Sequence, residues 1–273
     1  MQLFLLHYNK PMTKHEISYN DTGHGQPIIF IHGFCESKEM WEAFERELSP
    51  YYRILTPDLP GFGESIWLEE EITLEEVAVI LGVWIDELAL KKPIVIGHSL
   101  GGYVTLALAE IIGDELGGIG LFQSTAFADD QDKINTRNKT LEFVNKHGVE
   151  KFVKSFVPPL FPDNPSEELQ EKIDFVLKLA QKTSFPGLVA YTKAMRDRKE
   201  RIDVLQNYKG KKMMIAGQAD SAINIEDSRK HEKLVDFYFE LPGTGHMGMF
   251  EKEEKSLEVI GKFMDRYING ELA

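Results

Sequence analysis

Short apolar runs alternate with helical patterns along much of the chain, and this alternation restricts the fold more than any other feature. Buried-strand runs occupy residues 28–31, 52–56, 93–96, 119–122, 212–216 and 237–241. Apolar positions with helical spacing follow several of them, for example from Met40 to Leu48 and behind a capping box formed by Thr73 and Glu76. Strands that alternate with helices build βαβ units, so we predict an α/β fold with a mostly parallel sheet covered on both faces.

The alternation stops between residues 125 and 208, where no strand pattern is visible. Asn164 and Pro165 predict a helix start, with Asn164 as the N-cap, and an apolar stripe follows from Leu169 to Ala180. We therefore predict a helical cap over residues 125–208, inserted into a core made of residues 1–124 and 209–273.

Composition narrows the classes of partner. The 273 residues carry a formal net charge of −13, which disfavours binding to nucleic acid or to an anionic membrane surface. The single cysteine, Cys35, excludes an internal disulfide, and we expect it to be a buried, small apolar residue. The first residues are too short and lack the basic start of a secretory signal. We expect a cytoplasmic monomer or small homo-oligomer.

The pentad G-x-S-x-G lies at residues 97–101, where a buried strand run turns directly into an Ala- and Leu-rich helix. A nucleophile elbow requires this context, because the turn is tight and its flanking residues must be small. Gly97 and Gly101 meet that need, and the helix N-terminus adds backbone N–H groups and a positive dipole end. We predict that Ser99 is a nucleophile; the alternative is a glycine-rich turn with an incidental serine.

A serine hydroxyl needs a base at neutral pH. His246 comes directly after the last strand run, which places it at the carboxyl edge of the sheet, where Ser99 also lies. His246 is therefore the predicted base. His32 and His98 lie near the same edge and are the alternatives, although side chains beside an elbow more often hold backbone than transfer protons.

The base needs a carboxylate to orient it. Asp220 follows the 212–216 strand at the same edge and is the predicted acid. Asp129 and Asp130, just past the 119–122 strand, are the alternatives. For the oxyanion, the backbone N–H of Leu100 is one predicted donor, and the N–H of Phe34, in the loop after the 28–31 strand, is the other.

Five separated motifs, "IHGF", "DLPGFGES", "GHSLGG", "GQAD" and "GTGHMGMFE", resemble the α/β-hydrolase fold family from about residue 14 to residue 268. The chain is most similar to the group that holds small carboxylesterases, enol-lactonases and carbon–carbon bond hydrolases, and the resemblance implies an eight-stranded type of sheet with a helical cap. The chain departs from lipases with an HGGG-type loop, because it reads HGFC at residues 32–35. That difference disfavours a lipase for bulky acyl groups.

We predict a serine hydrolase that cleaves small to medium carboxylic esters or lactones through an acyl-enzyme on Ser99. No metal or nucleotide motif is present, so no cofactor is expected. One alternative is a carbon–carbon bond hydrolase or lyase with the same triad, in which a basic cap residue binds a substrate carboxylate. The candidates for that residue are Arg137, Arg196, Arg198 and Arg201. A second alternative is a non-catalytic ligand receptor with this fold.

Overall fold

The structure is a computed structural model that describes residues 17–66 and 71–269. Its centre is a seven-stranded sheet in the order β1-β3-β2-β4-β5-β6-β7. The strands are β1 (Tyr19–Gly23), β2 (Pro27–Ile31), β3 (Arg53–Pro57), β4 (Ile94–His98), β5 (Gly118–Phe122), β6 (Lys211–Gly217) and β7 (Phe237–Leu241). Every neighbouring pair is parallel except β1 with β3. The prediction of a mostly parallel sheet is confirmed, with seven strands in the described residues where the resemblance implied eight.

Helices lie between most of the strands and after the last one. They are α1 (Glu42–Leu48), α2 (Leu74–Glu87), α3 (Leu100–Ile112), α4 (Gln131–His147), α5 (Val149–Phe156), α6 (Glu167–Ala180), α7 (Phe185–Arg196), α8 (Ile202–Asn207), α9 (Ile225–Arg229), α10 (Gly248–Glu251) and α11 (Glu253–Asn269). Short 3₁₀ turns occupy Lys38–Trp41, Gly113–Glu115, Pro158–Leu160 and Glu232–Leu234. The α2 helix begins at the predicted capping box, with Thr73 and Glu76 bonded reciprocally.

The core lies between the sheet and two groups of helices. All five residues of β2, β4 and β5 are buried, as expected for parallel strands that are covered on both faces. One group consists of α2, α3 and α8, with α3 packed on β2, β4 and β5; the other consists of α1 and α11, with α11 packed on β6 and β7. Within the described ranges, no helix combines the length and apolar character needed to cross a bilayer.

Strand β1 does not follow the apolar pattern of the others. Its sequence is YNDTG, its residues are exposed or half-buried, and it pairs antiparallel with β3 at one edge of the sheet. The sequence analysis missed this strand because it has no run of apolar residues. An edge strand can be polar, since one of its sides has no partner strand.

Helices α4 to α8 fill the chain between β5 and β6, and residues 123–210 contain no strand. The excursion closes on itself, because the Arg201 N–H donates a 2.8 Å hydrogen bond to the Ala126 carbonyl. The predicted N-cap of α6 is wrong: Ser166 caps the helix by accepting from the Leu169 N–H, and Asn164 lies before it with φ of +56°. Asparagine tolerates this left-handed conformation and serves here in a turn. The division into core and cap stays a prediction.

Candidate active site

Ser99 occupies a strained turn between β4 and α3. Its φ and ψ are +50° and −114°, a combination that costs a non-glycine residue about 1–3 kcal/mol and persists only where the surroundings impose it. The Ser99 N–H donates to the Phe122 carbonyl at 3.0 Å, and the Ser99 carbonyl accepts from Ser124 Oγ at 2.7 Å. These bonds to the end of β5 hold the strained peptide in place.

Glycine is required on both sides of this turn because other backbone lies against it. A methyl group on Gly97 would lie 2.1 Å from the Gly101 carbonyl oxygen. One on Gly101 would lie 2.4 Å from the Ile31 carbonyl oxygen and 2.7 Å from that of His32. The start of α3 is therefore packed directly on the end of β2, from which the predicted oxyanion loop leaves.

The Ser99 hydroxyl is not used to support the helix. Serine is among the best N-cap residues because its oxygen accepts a bond from the N–H of the first turn, and Ser99 occupies the N-cap position of α3. Yet it makes no side-chain capping bond. Its Oγ has no hydrogen-bond partner within residues 17–66 and 71–269. Ser99 therefore does not perform the capping role that would explain an incidental serine at this position.

The predicted base and acid contact each other. His246 Nδ1 lies 2.9 and 2.8 Å from Asp220 Oδ1 and Oδ2, and both side chains are almost fully buried. Asp220 Oδ1 also accepts from the N–H groups of Ala222 and Ile223 at 2.8 and 2.9 Å. Because the ionised carboxylate can only accept, Nδ1 carries the proton, and Nε2 is left as the proton acceptor.

The predicted base lies close to the residue that precedes the predicted nucleophile. The His246 ring lies 4.9 Å, centroid to centroid, from the ring of His98, the residue before Ser99. No hydrogen bond joins Ser99 Oγ to His246 in the described chain. Such contacts are often longer before a substrate is bound, and the Ser99–His246 contact stays a prediction.

Two backbone N–H groups are available for an oxyanion. Leu100 is the first residue of α3 and follows Ser99, and Phe34 lies in the turn after β2. Across residues 17–66 and 71–269, neither amide donates a hydrogen bond to another group. A buried N–H group without a partner is rare in proteins. Free donors at this position agree with the predicted oxyanion site, although the role itself stays a prediction.

The alternative bases have both ring nitrogens engaged. His32 Nδ1–H donates to the Gly33 carbonyl at 2.8 Å, and its Nε2 accepts from the Leu59 N–H at 2.9 Å. Burial lowers the pKa of His32, which keeps it neutral. His98 bonds to Glu36 through Nδ1 and to the His246 carbonyl through Nε2. Neither histidine has a nitrogen left for a serine proton.

The alternative acids have structural partners instead of a histidine. Asp129 is bonded to Arg198 at 2.6 Å and to Arg137 at 3.2 Å. Asp130 is the N-cap of α4 and accepts from the Lys133 N–H at 2.8 Å. Asp220 is therefore the carboxylate that the structure brings to His246.

The four candidate arginines are each paired with an acidic group of the protein. The pairs are Arg137 with Asp129, Arg196 with Asp197, Arg198 with Asp129, and Arg201 with Glu75 and Glu110. Arg198 and Arg201 are also buried. Cys35 is fully buried as well, and burial raises the pKa of its thiol, which opposes formation of a reactive thiolate.

The sequence analysis missed the residues that hold the His246 loop. Gln123 donates through Nε2 to the Gly245 carbonyl and accepts at Oε1 from the Gly248 N–H. Glu251 accepts from the N–H groups of Gly245 and Met247 at 2.6 and 2.9 Å. Burial raises the pKa of Glu251 although these bonds oppose the shift.

A contact from the helical excursion completes the support of this loop. The His246 N–H donates to the Leu160 carbonyl at 2.8 Å. Leu160 lies in the short turn between α5 and α6. The loop is therefore held from β5, from α10 and from the excursion between β5 and β6.

The fold and these contacts agree with a match to a family model described as the alpha/beta hydrolase family, over residues 28–258. The chain belongs to this family. It is similar to a thermophilic esterase from Thermogutta terrifontis, with 26% identity, a TM-score of 0.89, and coverage of 95% of this chain and 96% of that one. It shares its fold with the enol-lactonase from Burkholderia xenovorans LB400, with 19% identity, a TM-score of 0.84, and coverage of 92% and 97%.

A sequence relative carries a different chemistry in its name. The chain is 30% identical over 106 residues to a 2-hydroxy-6-oxo-6-phenylhexa-2,4-dienoate hydrolase from Burkholderia cepacia. That alignment covers 37% of each protein, so the chain spans little more than a third of that relative. The family match and the esterase neighbour therefore place the chain among the alpha/beta hydrolases.

Proposed function

We propose that the protein is a serine hydrolase that cleaves small to medium carboxylic esters or lactones through an acyl-enzyme on Ser99. One observation carries the proposal. A strained serine whose hydroxyl has no structural task lies next in sequence to His98, and the ring of His98 lies against that of His246, which is bonded to Asp220. Strained residues cluster at active sites, so the strain and the unpartnered hydroxyl of Ser99 together support a catalytic use.

The reaction follows from the protonation state of the pair. His246 Nε2 takes the Ser99 proton as Oγ attacks the substrate carbonyl carbon. Asp220 holds the ring in the required tautomer and stabilises its positive charge. The N–H groups of Phe34 and Leu100 bind the oxyanion, and His246 returns the proton to the leaving oxygen. Water then attacks the acyl-enzyme by the same route and releases the acid.

Aromatic rings from the helical excursion meet the predicted oxyanion loop and set the size of the substrate. The Phe34 ring lies 6.3 Å from that of Phe152 and 5.7 Å from that of Phe156, both in α5. It also lies 6.2 Å from the ring of Phe62. In this proposal the excursion is a cap, and these rings form an apolar wall beside Phe34 that favours short acyl groups over long ones.

The thermophilic esterase supports ester hydrolysis, because its similarity extends over nearly the whole of both chains. The second candidate is carbon–carbon bond hydrolysis, which the name of the Burkholderia cepacia relative suggests. Pairing of all four candidate arginines with acidic groups counts against it, since none is left free for a substrate carboxylate.

The direct test is hydrolysis of p-nitrophenyl esters of increasing chain length by the wild type and by Ser99→Ala. The variant is expected to lose on the order of 10⁴-fold or more in kcat. Ser155→Ala, an exposed serine of α5, is the matched control and should retain full activity. A fluorophosphonate should label the wild type at Ser99 and leave Ser99→Ala unlabelled.

The other candidates give different results in the same set of assays. Activity on a vinylogous diketone without activity on any ester would replace ester hydrolysis by carbon–carbon bond cleavage. Tight ligand binding with no turnover and no labelling at Ser99 would indicate a receptor and would refute the proposal.

A further inference from the structure

A buried ion pair lies beside the candidate site and has no part in the proposed reaction. Its members are Glu36, in the loop after β2, and His98, the last residue of β4. His98 Nδ1 lies 3.1 Å from Glu36 Oε2, and the two side chains are 0% and 3% exposed. Burial of two charges is costly, and an apolar pair of similar volume commonly serves stability as well or better. The pair therefore calls for a functional explanation.

The partners of His98 define its charge. Its Nε2 lies 2.9 Å from the His246 carbonyl oxygen, which can only accept, so Nε2 carries a proton. Its Nδ1 faces the Glu36 carboxylate and donates there. Burial alone would lower the pKa of His98, but the charge and hydrogen bond of Glu36 outweigh it and raise the pKa. Both contacts suit a ring that donates from both nitrogens, and the raised pKa favours that charged form.

Glu36 is held in its ionised form from the other side. Burial alone would raise its pKa, but the charge and hydrogen bond of His98 lower it overall. The same Oε2 accepts from the Gly33 N–H at 2.5 Å. A methyl group on Gly33 would lie 2.8 Å from both carboxylate oxygens. The carboxylate therefore lies directly against the peptide that precedes Phe34.

These contacts join the two loops on which the proposed reaction depends. On one side, Glu36 accepts from the N–H of Gly33, one residue before Phe34, and so holds the start of the predicted oxyanion loop. On the other side, His98 fixes the carbonyl of His246. Ser99 follows His98 directly. Asp220 and the His246 ring are the further titratable groups near His98.

We propose that the Glu36–His98 ion pair is a positioning device that keeps the oxyanion loop and the His246 loop in register around Ser99. Glu36 and His98 are positioning residues, since neither touches the reacting atoms. The inference rests on the proposed hydrolysis for its catalytic meaning. Misplacement of catalytic groups by about 1 Å can cost on the order of 10²-fold in rate, which sets the size of the expected effect.

Two isosteric substitutions at His98 separate its two contacts. His98→Gln places an amide nitrogen near the position of Nε2 and keeps a donor for the His246 carbonyl. His98→Asn places one near Nδ1 and keeps the donor for Glu36, while the His246 carbonyl loses its partner. Because each variant loses one of the two contacts, we expect kcat on p-nitrophenyl acetate to fall on the order of 10²-fold in both, with KM changed less than about three-fold.

A second measurement does not depend on activity. Hydrogen exchange of the backbone amides at residues 244–248 should be faster in His98→Asn than in the wild type, and close to the wild type in His98→Gln. Wild-type kcat in either variant, or equal exchange at residues 244–248 in the two variants, would overturn the positioning role. If the wild type hydrolyses no ester but the exchange rates differ as expected, the positioning stands and the proposed function fails.

Substitutions at Glu36 give the same comparison if His98→Asn does not fold. Glu36→Gln retains an oxygen that accepts from the Gly33 N–H, whereas Glu36→Met has none. Glu36→Gln should retain at least about ten-fold more of the wild-type kcat than Glu36→Met. Equal loss in both variants would refute a role for this contact in placing the oxyanion loop.

Discussion

Arg198 ties the helical excursion to the core, and its replacement should be costly. Its guanidinium donates to Asp129 Oδ1 at 2.6 Å, to the Met195 carbonyl at 2.8 Å and to the Phe127 carbonyl at 3.0 and 3.2 Å. It also stacks on the ring of Tyr103 in α3, 4.1 Å from the ring centroid. One side chain therefore joins the start of the excursion, its end and a central helix of the core.

The size of the effect follows from the charge left behind. In Arg198→Leu, the fully buried Asp129 carboxylate keeps one cationic partner, Arg137, at 3.2 Å. Removal of one member of a buried pair costs about 3–5 kcal/mol. An unfolding entropy of about 2.1 cal/mol/K per residue gives roughly 0.6 kcal/mol/K for the 273 residues. The melting temperature should therefore fall by about 5–9 °C, as measured by circular dichroism.

A double variant distinguishes this explanation from loss of packing. In Asp129→Leu/Arg198→Leu no buried charge remains unpaired, so at least half of the lost stability should return. Arg46→Leu is the exposed control, since its ion pair with Glu47 lies at the surface, and it should change stability by less than about 0.5 kcal/mol. A loss below about 1 kcal/mol in Arg198→Leu, or a double loss equal to the sum of the two single losses, would refute the reasoning.

Four further predictions address the candidate site and the backbone. Asp220→Asn should lower kcat by about 10⁴-fold at unchanged melting temperature, because an amide that donates to Nδ1 holds His246 in the wrong tautomer; near-normal ester turnover would contradict it. Gly101→Ala should destabilise by about 3 kcal/mol or more, since its methyl group would lie 2.4 Å from a β2 carbonyl oxygen. Gly261→Ala, with nothing within 4 Å in α11, should stabilise by about 0.5–1 kcal/mol in urea unfolding. The pKa of His98 is raised above its ordinary value of 6.5. The charge of His98 therefore contributes its full stabilisation below pH 6.5, and this contribution is lost as the pH rises through the raised pKa. The melting-temperature difference between wild type and His98→Gln should therefore narrow at alkaline pH.

The sequence predicts those parts of the fold that depend on local patterns. Continuous apolar runs identify β2, β4 and β5, since parallel strands are buried on both faces. The capping box at Thr73 and Glu76 identifies the start of α2. Strand β1 has no such pattern, because a polar edge strand depends on its partner β3 for its conformation.

The site residues that the sequence could and could not predict differ for a similar reason. Asp220 and His246 could be selected because each follows a strand, and the topology brings such positions to one edge. Glu36, Gln123 and Glu251 could not, since each is a single polar residue whose partners depend on the folded geometry. Gln123, for example, contacts backbone more than 120 positions further along the chain.

The hydrogen bond between Arg201 and Ala126 makes the helical excursion a closed ring of chain whose two ends meet outside the sheet. The entropy of closing such a ring depends only weakly on its length, since each doubling costs about 0.6 kcal/mol. Insertions between the helices of the excursion therefore cost little chain entropy, whereas the contacts of Leu160 with the His246 loop and of Arg198 with α3 must be kept. Changes in the length of the excursion can thus be separated from the strained turn of Ser99, which is held by bonds to the end of β5.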